Sequence, residues 1–408
     1  MSYLKEDKSP FNSCIEGIYP PENSIVLRYM NALQFYPTPE EDKKYKDWLK
    51  KTSIREGARI FLLTTYKGVK IHILDETSLM HTHTLKSVDG CVSIAHCKLR
   101  DYNRVVFESG GNTGAAFTEY GQRAGLETFL FLPKDNIHLL DSKIFKAENS
   151  HLISVEEAGL VKKAANLFCK SNGIIHIPDA AWRYQASMLR GFFILEYMLL
   201  EDKFDWIIQT ISAAFGPVGI YRVFREFKEE LGPPPRFLGI QQKANCPMYT
   251  AWKSNKVIPE PIEPDPAEEL LTRVMYDTQP HSYGSYSELV NILNESKGAL
   301  TTVDHKEFYN LLEHDFDGKG LLLLLHENGI EITLRDGEVV EKTGLLSLAG
   351  TLKEIDNGNI SAGTRVLCCL TSGITSADGR AEPEYEVKSL EDIENCYGKQ
   401  PPADKAVS

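Results

Sequence analysis

Apolar residues in this chain fall into two kinds of segment that take turns: unbroken runs of strand length, and stretches with apolar positions three or four apart. Runs at 60–65 and 69–74 predict two strands. Beyond Lys86, the residues Val88, Cys91, Val92, Ile94 and Ala95 share helical spacing with no internal proline, which predicts a helix. A short strand at 104–109, a glycine-rich loop at 110–114 and an alanine-rich helix through Ala124 follow. Gly125 ends that helix, and Pro133 closes a buried strand at 128–132. The order then returns. A strand is expected at 204–211, a loop at 212–216 and a helix over 217–231, with Pro217 suited to the first helical position. Gly232 and three prolines stop that helix, and 236–241 reads as the next strand. A turn and helix over 337–358 and a core strand at 365–371 complete the pattern. Strand, loop, helix and strand repeated in this way is the grammar of a parallel sheet, so the expected fold class is α/β. Loops and a short helix at 1–56 wrap the main body in this reading. Residues 257–266, with four prolines, form an exposed connection, and 401–408 are a flexible tail.

Composition narrows the class further. Of 408 residues, 42% are hydrophobic and 25% charged, which is the balance of a folded globular chain. Lysine and arginine total 45 against 57 acidic residues, a net charge of −12, which argues against nucleic acid as a partner because phosphate affinity needs clustered positive charge. The longest aliphatic run, 321–325, is far short of the roughly 20 residues that cross a bilayer, so no membrane span is expected. The first thirteen residues are polar and mixed in charge, without the apolar stretch of a secretory signal, and a cytoplasmic location is the expectation. Eight cysteines, at 14, 91, 97, 169, 246, 368, 369 and 396, include no C-x-x-C pair and read as reduced, mostly buried thiols.

Candidate chemistry concentrates in one loop, Ser109-Gly-Gly-Asn-Thr-Gly114, between a strand and a helix. Alone, such a loop says only that backbone N–H groups face an anion. Three further features sharpen it: Thr84-Leu-Lys86-Ser at a helix start upstream, a second anion-type loop at 212–216, and a late strand that ends in hydroxyls, Leu370-Thr371-Ser372-Gly373. His81 and His83 have an H-x-H spacing that would place both rings on one face of a strand, but no third ligand is identifiable nearby, so no metal is expected. The segment Asp315-Phe-Asp317-Gly-Lys-Gly320 has its glycine at the wrong offset for a calcium loop and reads as a turn.

In this order the motifs resemble the tryptophan-synthase-beta, or fold-type II, superfamily of pyridoxal-phosphate (PLP) enzymes. The resemblance is nearest to its threonine synthase and cysteate synthase branch, since Gln241-Gln-Lys-Ala-Asn-Cys-Pro-Met-Tyr-Thr-Ala-Trp252 is similar to a cysteate synthase stretch. It implies two α/β domains with the cofactor between them: a larger one from 1–87 and 201–400, and a smaller mobile one from 88–200. It also implies that Lys86 bonds covalently to PLP and later serves as base at the substrate Cα, and that Asn112 holds the cofactor's phenolic oxygen. Ser109, Gly110, Gly111 and Thr113 would bind the substrate carboxylate. Ser212, Ala213, Ala214, Phe215 and Gly216 would cradle the phosphate, keeping only the last glycine of the related loop; the alanines serve if no position needs positive φ, and Phe215 crowds the cavity. Thr371, with Ser372 as neighbour, would face the pyridine nitrogen. His83, where relatives have a small residue, would face the substrate. Arg183 and Arg190 are candidates for an anionic substrate group, with surface salt bridges as the open alternative. The function implied is β-elimination or β-replacement on a small-molecule amino acid with a leaving group at Cβ, O-phosphoserine-like, by a homodimer. Alternatives are γ-chemistry of the threonine synthase type on an O-phosphohomoserine-like substrate, or a PLP-fold binding protein without turnover.

Overall fold

The computed structural model describes residues 15–262, 268–277, 279–373 and 381–396. Two sheets organise it. One has six strands in the order Arg59–Tyr66, Val69–Asp75, Arg365–Leu370, Trp206–Thr210, Arg236–Gln242 and Ala299–Val303. Only the first pair, joined at Lys67-Gly68, is antiparallel; every other neighbour is parallel. The second sheet is parallel throughout, in the order Tyr385–Val387, Ser150–Val155, Glu127–Pro133, Arg104–Glu108 and Ile175–His176. Fold class therefore agrees with the sequence pattern, and the strands expected near 60–65, 69–74, 104–109, 128–132, 236–241 and 365–371 lie within a residue or two of those positions.

Three local features differ from the sequence pattern. The helix expected over 217–231 starts earlier, at Phe215, and breaks at Phe227 into Phe215–Glu226 and Lys228–Leu231. The segment with His81 and His83 is a turn, not a strand, because the His83 N–H donates to the Met80 carbonyl at 3.2 Å and the Thr82 N–H to Ser87 Oγ at 3.0 Å, which curls the chain there. Tyr385–Val387 pairs with Ser150–Val155, so the C-terminal strand returns to the five-stranded sheet, whereas the expected boundary kept 201–400 with the larger unit. The expected tail at 401–408 and Cys14 lie outside the described residues.

Parallel strands end at one edge, and the loops beyond that edge are where a ligand meets the most backbone. Here the turn to Lys86 follows Val69–Asp75, the glycine loop follows Arg104–Glu108, residues 211–214 follow Trp206–Thr210, and Thr371-Ser372 follow Arg365–Leu370. Helix Lys86–Leu99 is the central post. Its residues from Ser87 to Cys97 are all buried. Gly90 lets it approach helix Asn112–Arg123: a Cβ there would stand 2.8 Å from the Tyr120 ring and 3.1 Å from the Ala116 carbonyl oxygen. Among the described residues, no helix is long and apolar enough to cross a membrane, and the described cysteines are free thiols, buried except for Cys246.

Candidate active site

Lys86 opens its helix at the rim of a cavity of about 540 Å³. The Thr84 hydroxyl accepts the Lys86 N–H at 3.0 Å, and the Leu85 N–H donates to the Thr371 carbonyl at 3.1 Å, so the helix start is stitched to the end of strand Arg365–Leu370. Lys86 Nζ donates to Asp89 Oδ2 at 2.8 Å; Arg183 Nη2 lies 3.6 Å from the same oxygen. Burial pushes the Lys86 ammonium below its usual range, with Asp89 opposing. Burial also disfavours ionised Asp89, yet Lys86 and Arg183 together hold its carboxyl below the usual range. A buried lysine with a lowered pKa is suited to nucleophilic attack on a carbonyl carbon and to proton transfer.

The glycine loop wraps around Ser109, whose Oγ accepts the N–H groups of Gly111 (3.0 Å) and Gly114 (2.9 Å). Gly111, at φ 150°, turns the chain into the helix, which starts at Asn112 rather than at Gly114. With the Gly114 N–H taken by Ser109, the N–H groups of Asn112 and Thr113 remain at the helix start beside the cavity, an anion site. Asn112 Nδ2 lies 3.5 Å from the buried Glu341 carboxylate, and Ser109, Gly110, Gly111, Asn112 and Thr113 all line the cavity.

Across from it, Ser212, Ala213, Ala214, Phe215 and Gly216 line the same cavity. Ala214 caps helix Phe215–Glu226 at φ 55°, so one position of this loop does adopt left-handed backbone, which alanine tolerates at a cost of about 1 kcal/mol. Phe215 is held by aromatic edges from Tyr184 (5.2 Å) and Tyr283 (6.0 Å), with the Arg183 guanidinium 4.4 Å over its ring. Gly216 packs on the Gln209 amide, and a Cβ there would stand 2.9 Å from Arg190 Nη1.

Thr371 and Ser372 close the cavity floor, 5% and 1% exposed. Among the described residues, nine buried side-chain polar atoms lack a hydrogen-bond partner. Five belong to cavity residues: Asn136 Oδ1, Arg183 Nε, Asp277 Oδ2, Thr343 Oγ1 and Ser372 Oγ. Buried polar groups are ordinarily satisfied, so this concentration marks where a polar ligand belongs.

Two expected site residues lie elsewhere. Arg190 is 1% exposed and outside the cavity lining, with Nε and Nη2 on Glu76 at 2.5 and 2.7 Å and Nη2 on Gln209 at 3.0 Å. A buried cation needs a counter-charge and Glu76 supplies it; the unpartnered Nη1 lies behind Gly216 rather than in the cavity, so Arg190 does not face a substrate anion. His83 is an exposed turn residue at φ 55° outside the lining, and its neighbour His81 pairs with Glu119 at 3.0 Å. Arg183 does reach the cavity. Asn136, Asp277, Tyr283 and Thr343 had no motif to announce them; they come from connections whose only local signal is polarity.

Comparison with known proteins agrees with this geometry. The model of the family described as pyridoxal-phosphate dependent enzyme matches residues 59–322. Threonine synthase from Methanosarcina acetivorans is 24% identical over 349 residues, covering 81% of this chain and 78% of the relative. Cysteate synthase from Methanosarcina barkeri is 22% identical, covering 81% and 77%. Among solved structures, maize serine racemase superposes with a TM-score of 0.59 at 15% identity, over 82% of this chain and 95% of that one. The chain belongs to the pyridoxal-phosphate dependent enzyme family, with the fold-type II architecture and the threonine and cysteate synthases among its relatives.

Proposed function

We propose that this enzyme expels a leaving group from Cβ of a small amino acid, O-phosphoserine-like, by β-elimination or by β-replacement with a nucleophile such as sulfite. Working in the cytoplasm, and as a homodimer as the resemblance implies, belongs to the same reading. The cavity suits the cofactor: a desolvated lysine, the helix N-terminus behind 212–216 and the unpartnered Ser372 hydroxyl match an aldehyde, a phosphate and a pyridine nitrogen. When bound, PLP supplies the electron sink for a negative charge at Cα.

Within that frame, Lys86 Nζ is the covalent anchor and the group that takes the Cα proton. Asn112 holds the ring's phenolic oxygen, and the N-terminus of helix Asn112–Arg123 with Ser109, Gly110, Gly111 and Thr113 receives the substrate carboxylate. Backbone N–H groups of 212–216 hold the phosphate, with Arg190 adding positive charge from behind Gly216. Arg183 is left as the cation for a substrate anion, so Arg190 drops out of that role. We assign the pyridine nitrogen to Ser372 or Thr371.

That hydroxyl pair carries the reading. A neutral hydroxyl leaves the pyridine nitrogen mostly unprotonated, which stabilises charge at Cα only partly and favours prompt loss of a Cβ group over amino-group exchange. Phosphate release from O-phosphoserine, with and without sulfite and with pyruvate measured, tests it. Robust transamination with a keto acid would refute it. The threonine synthase relative supports a second reading, γ-elimination on an O-phosphohomoserine-like substrate; phosphate release from that compound but not from O-phosphoserine would select it.

A further inference from the structure

We propose that Asp277 is the general acid of this site, protonating the group that leaves Cβ; the inference rests on the β-chemistry proposed above. Asp277 lines the cavity, is 6% exposed, and leaves Oδ2 without a hydrogen-bond partner, while Oδ1 accepts the Gln279 N–H at 3.0 Å. No cation stands within ion-pair distance of it among the described residues, in contrast with Asp89. Such a carboxyl is expensive to bury ionised. Burial indeed pushes it above the usual range, with the Gln279 N–H and the more distant Lys162 and His281 opposing.

Its placement is built, not incidental. Two buried amides clamp the segment that carries it. Gln242 accepts the Thr272 N–H at 3.1 Å and donates to the Thr272 carbonyl at 2.9 Å. Asn245 accepts the Asp277 N–H at 2.9 Å and donates to the Asp277 carbonyl at 3.3 Å. Each amide thus binds one residue as a neighbouring strand would, and between the two clamps Arg273, Val274, Met275 and Tyr276 are laid along the cavity wall. Asp277, Arg183 and Glu108 each act electrostatically on Tyr283, whose hydroxyl burial pushes well above its usual range.

Lys86 takes the Cα proton, the C–H electron pair becomes the Cα–Cβ double bond, and the Cβ–O pair departs on oxygen. That oxygen receives the proton of Asp277 Oδ2. Water re-protonates Asp277 once the product leaves. The substrate class that needs such an acid has a basic leaving oxygen, a hydroxyl or a phosphate ester. A halide needs none.

The test compares leaving groups in the PLP-loaded enzyme. Asp277→Asn keeps the acceptor for the Gln279 N–H and removes the proton. We expect kcat/KM for O-phosphoserine to fall about 100- to 1,000-fold, the usual contribution of a positioned acid, and that for β-chloroalanine to change by less than about threefold. An equal fall for both, or none for either, overturns the proposal. The thermal midpoint of the loaded variant reports folding; if it collapses, Asp277→Ser carries the same comparison. A parent enzyme inert toward both compounds would instead sink the β-chemistry reading itself, and this proposal with it.

Discussion

Lys86 rests on Asp89 at 2.8 Å with Arg183 Nη2 3.6 Å from the same carboxylate, so in the role proposed above Lys86 can leave for the cofactor with Asp89 still compensated. Borohydride reduction of the PLP-loaded protein should therefore fix a pyridoxyl group on Lys86; a label on any other lysine in the peptide map refutes the assignment. Asn112→Ala should keep that label but slow turnover about 10- to 1,000-fold, a loss of roughly 1.4 to 4 kcal/mol; unchanged kinetics would reduce Asn112 to a turn residue. Ala214 shows how competing magnitudes settle a stability question. Glycine there would relieve about 1 kcal/mol of left-handed strain and forfeit a buried methyl worth about 0.8 kcal/mol. The two nearly cancel, so Ala214→Gly should move the unfolding free energy by less than about 0.5 kcal/mol. A β-branched side chain at φ 55° is a true outlier, and Ala214→Val should cost more than about 2 kcal/mol in urea titrations. Residues of this kind were legible in the sequence because glycine, a hydroxyl or a lysine at a strand end is a local signal. Arg190 misled for the opposite reason: its partner Glu76 lies 114 residues away, and a buried pair looks in sequence like two free charges.

Elements tell a similar story at longer range. Strands with an unbroken apolar run, such as Phe129 to Leu132 within Glu127–Pro133, announce themselves, because a parallel strand buried on both faces needs no alternation. Ser150–Val155, with Ser and His among its apolar residues, and the three-residue strand Tyr385–Val387 carry too little pattern; only their neighbours make them strands. The connection from 268 to 285 is the hardest case. Locally Thr272–Asp277 has only a single turn, Arg273–Met275, capped by the Thr272 hydroxyl; where that turn lies depends on Gln242 and Asn245, amides on and just beyond a strand of the larger sheet. Asn245→Ala would strand a buried N–H and a buried carbonyl at Asp277, a cost of about 1–3 kcal/mol. We expect that loss in the urea midpoint. A midpoint identical to the parent's would mean the segment holds its path unaided.

At the scale of the whole molecule, His96 binds three parts of the chain together. It lies on helix Lys86–Leu99, stacks on Tyr45 of the N-terminal arm at 4.2 Å and on Trp182 of helix Ala180–Leu200 at 4.7 Å. Both ring nitrogens are engaged: Tyr36 Oη meets Nδ1 at 2.7 Å, and Gln185 Oε1 meets Nε2 at 2.8 Å, so the neutral ring is satisfied and a second proton has no acceptor. Burial accordingly pulls its pKa from the usual 6.5 to about 3. In the unfolded chain the imidazole takes a proton as pH falls below 6.5, while the folded chain refuses it until about 3. The unfolded state then binds more protons, so stability drops across that window by about 1.4 kcal/mol per pH unit. The helix that starts with Lys86 would loosen with it, since His96 fixes its far end. His96→Phe keeps an aromatic ring in the stack and removes the titration. It should be less stable than the parent at pH 7.5, by about 1–3 kcal/mol for the two lost hydrogen bonds, yet lose less on acidification. Urea unfolding at pH 7.5, 5.5 and 4.5 should give curves that converge as pH falls, with a slope difference of about one proton. Parallel curves would show that the ring titrates normally in the folded protein.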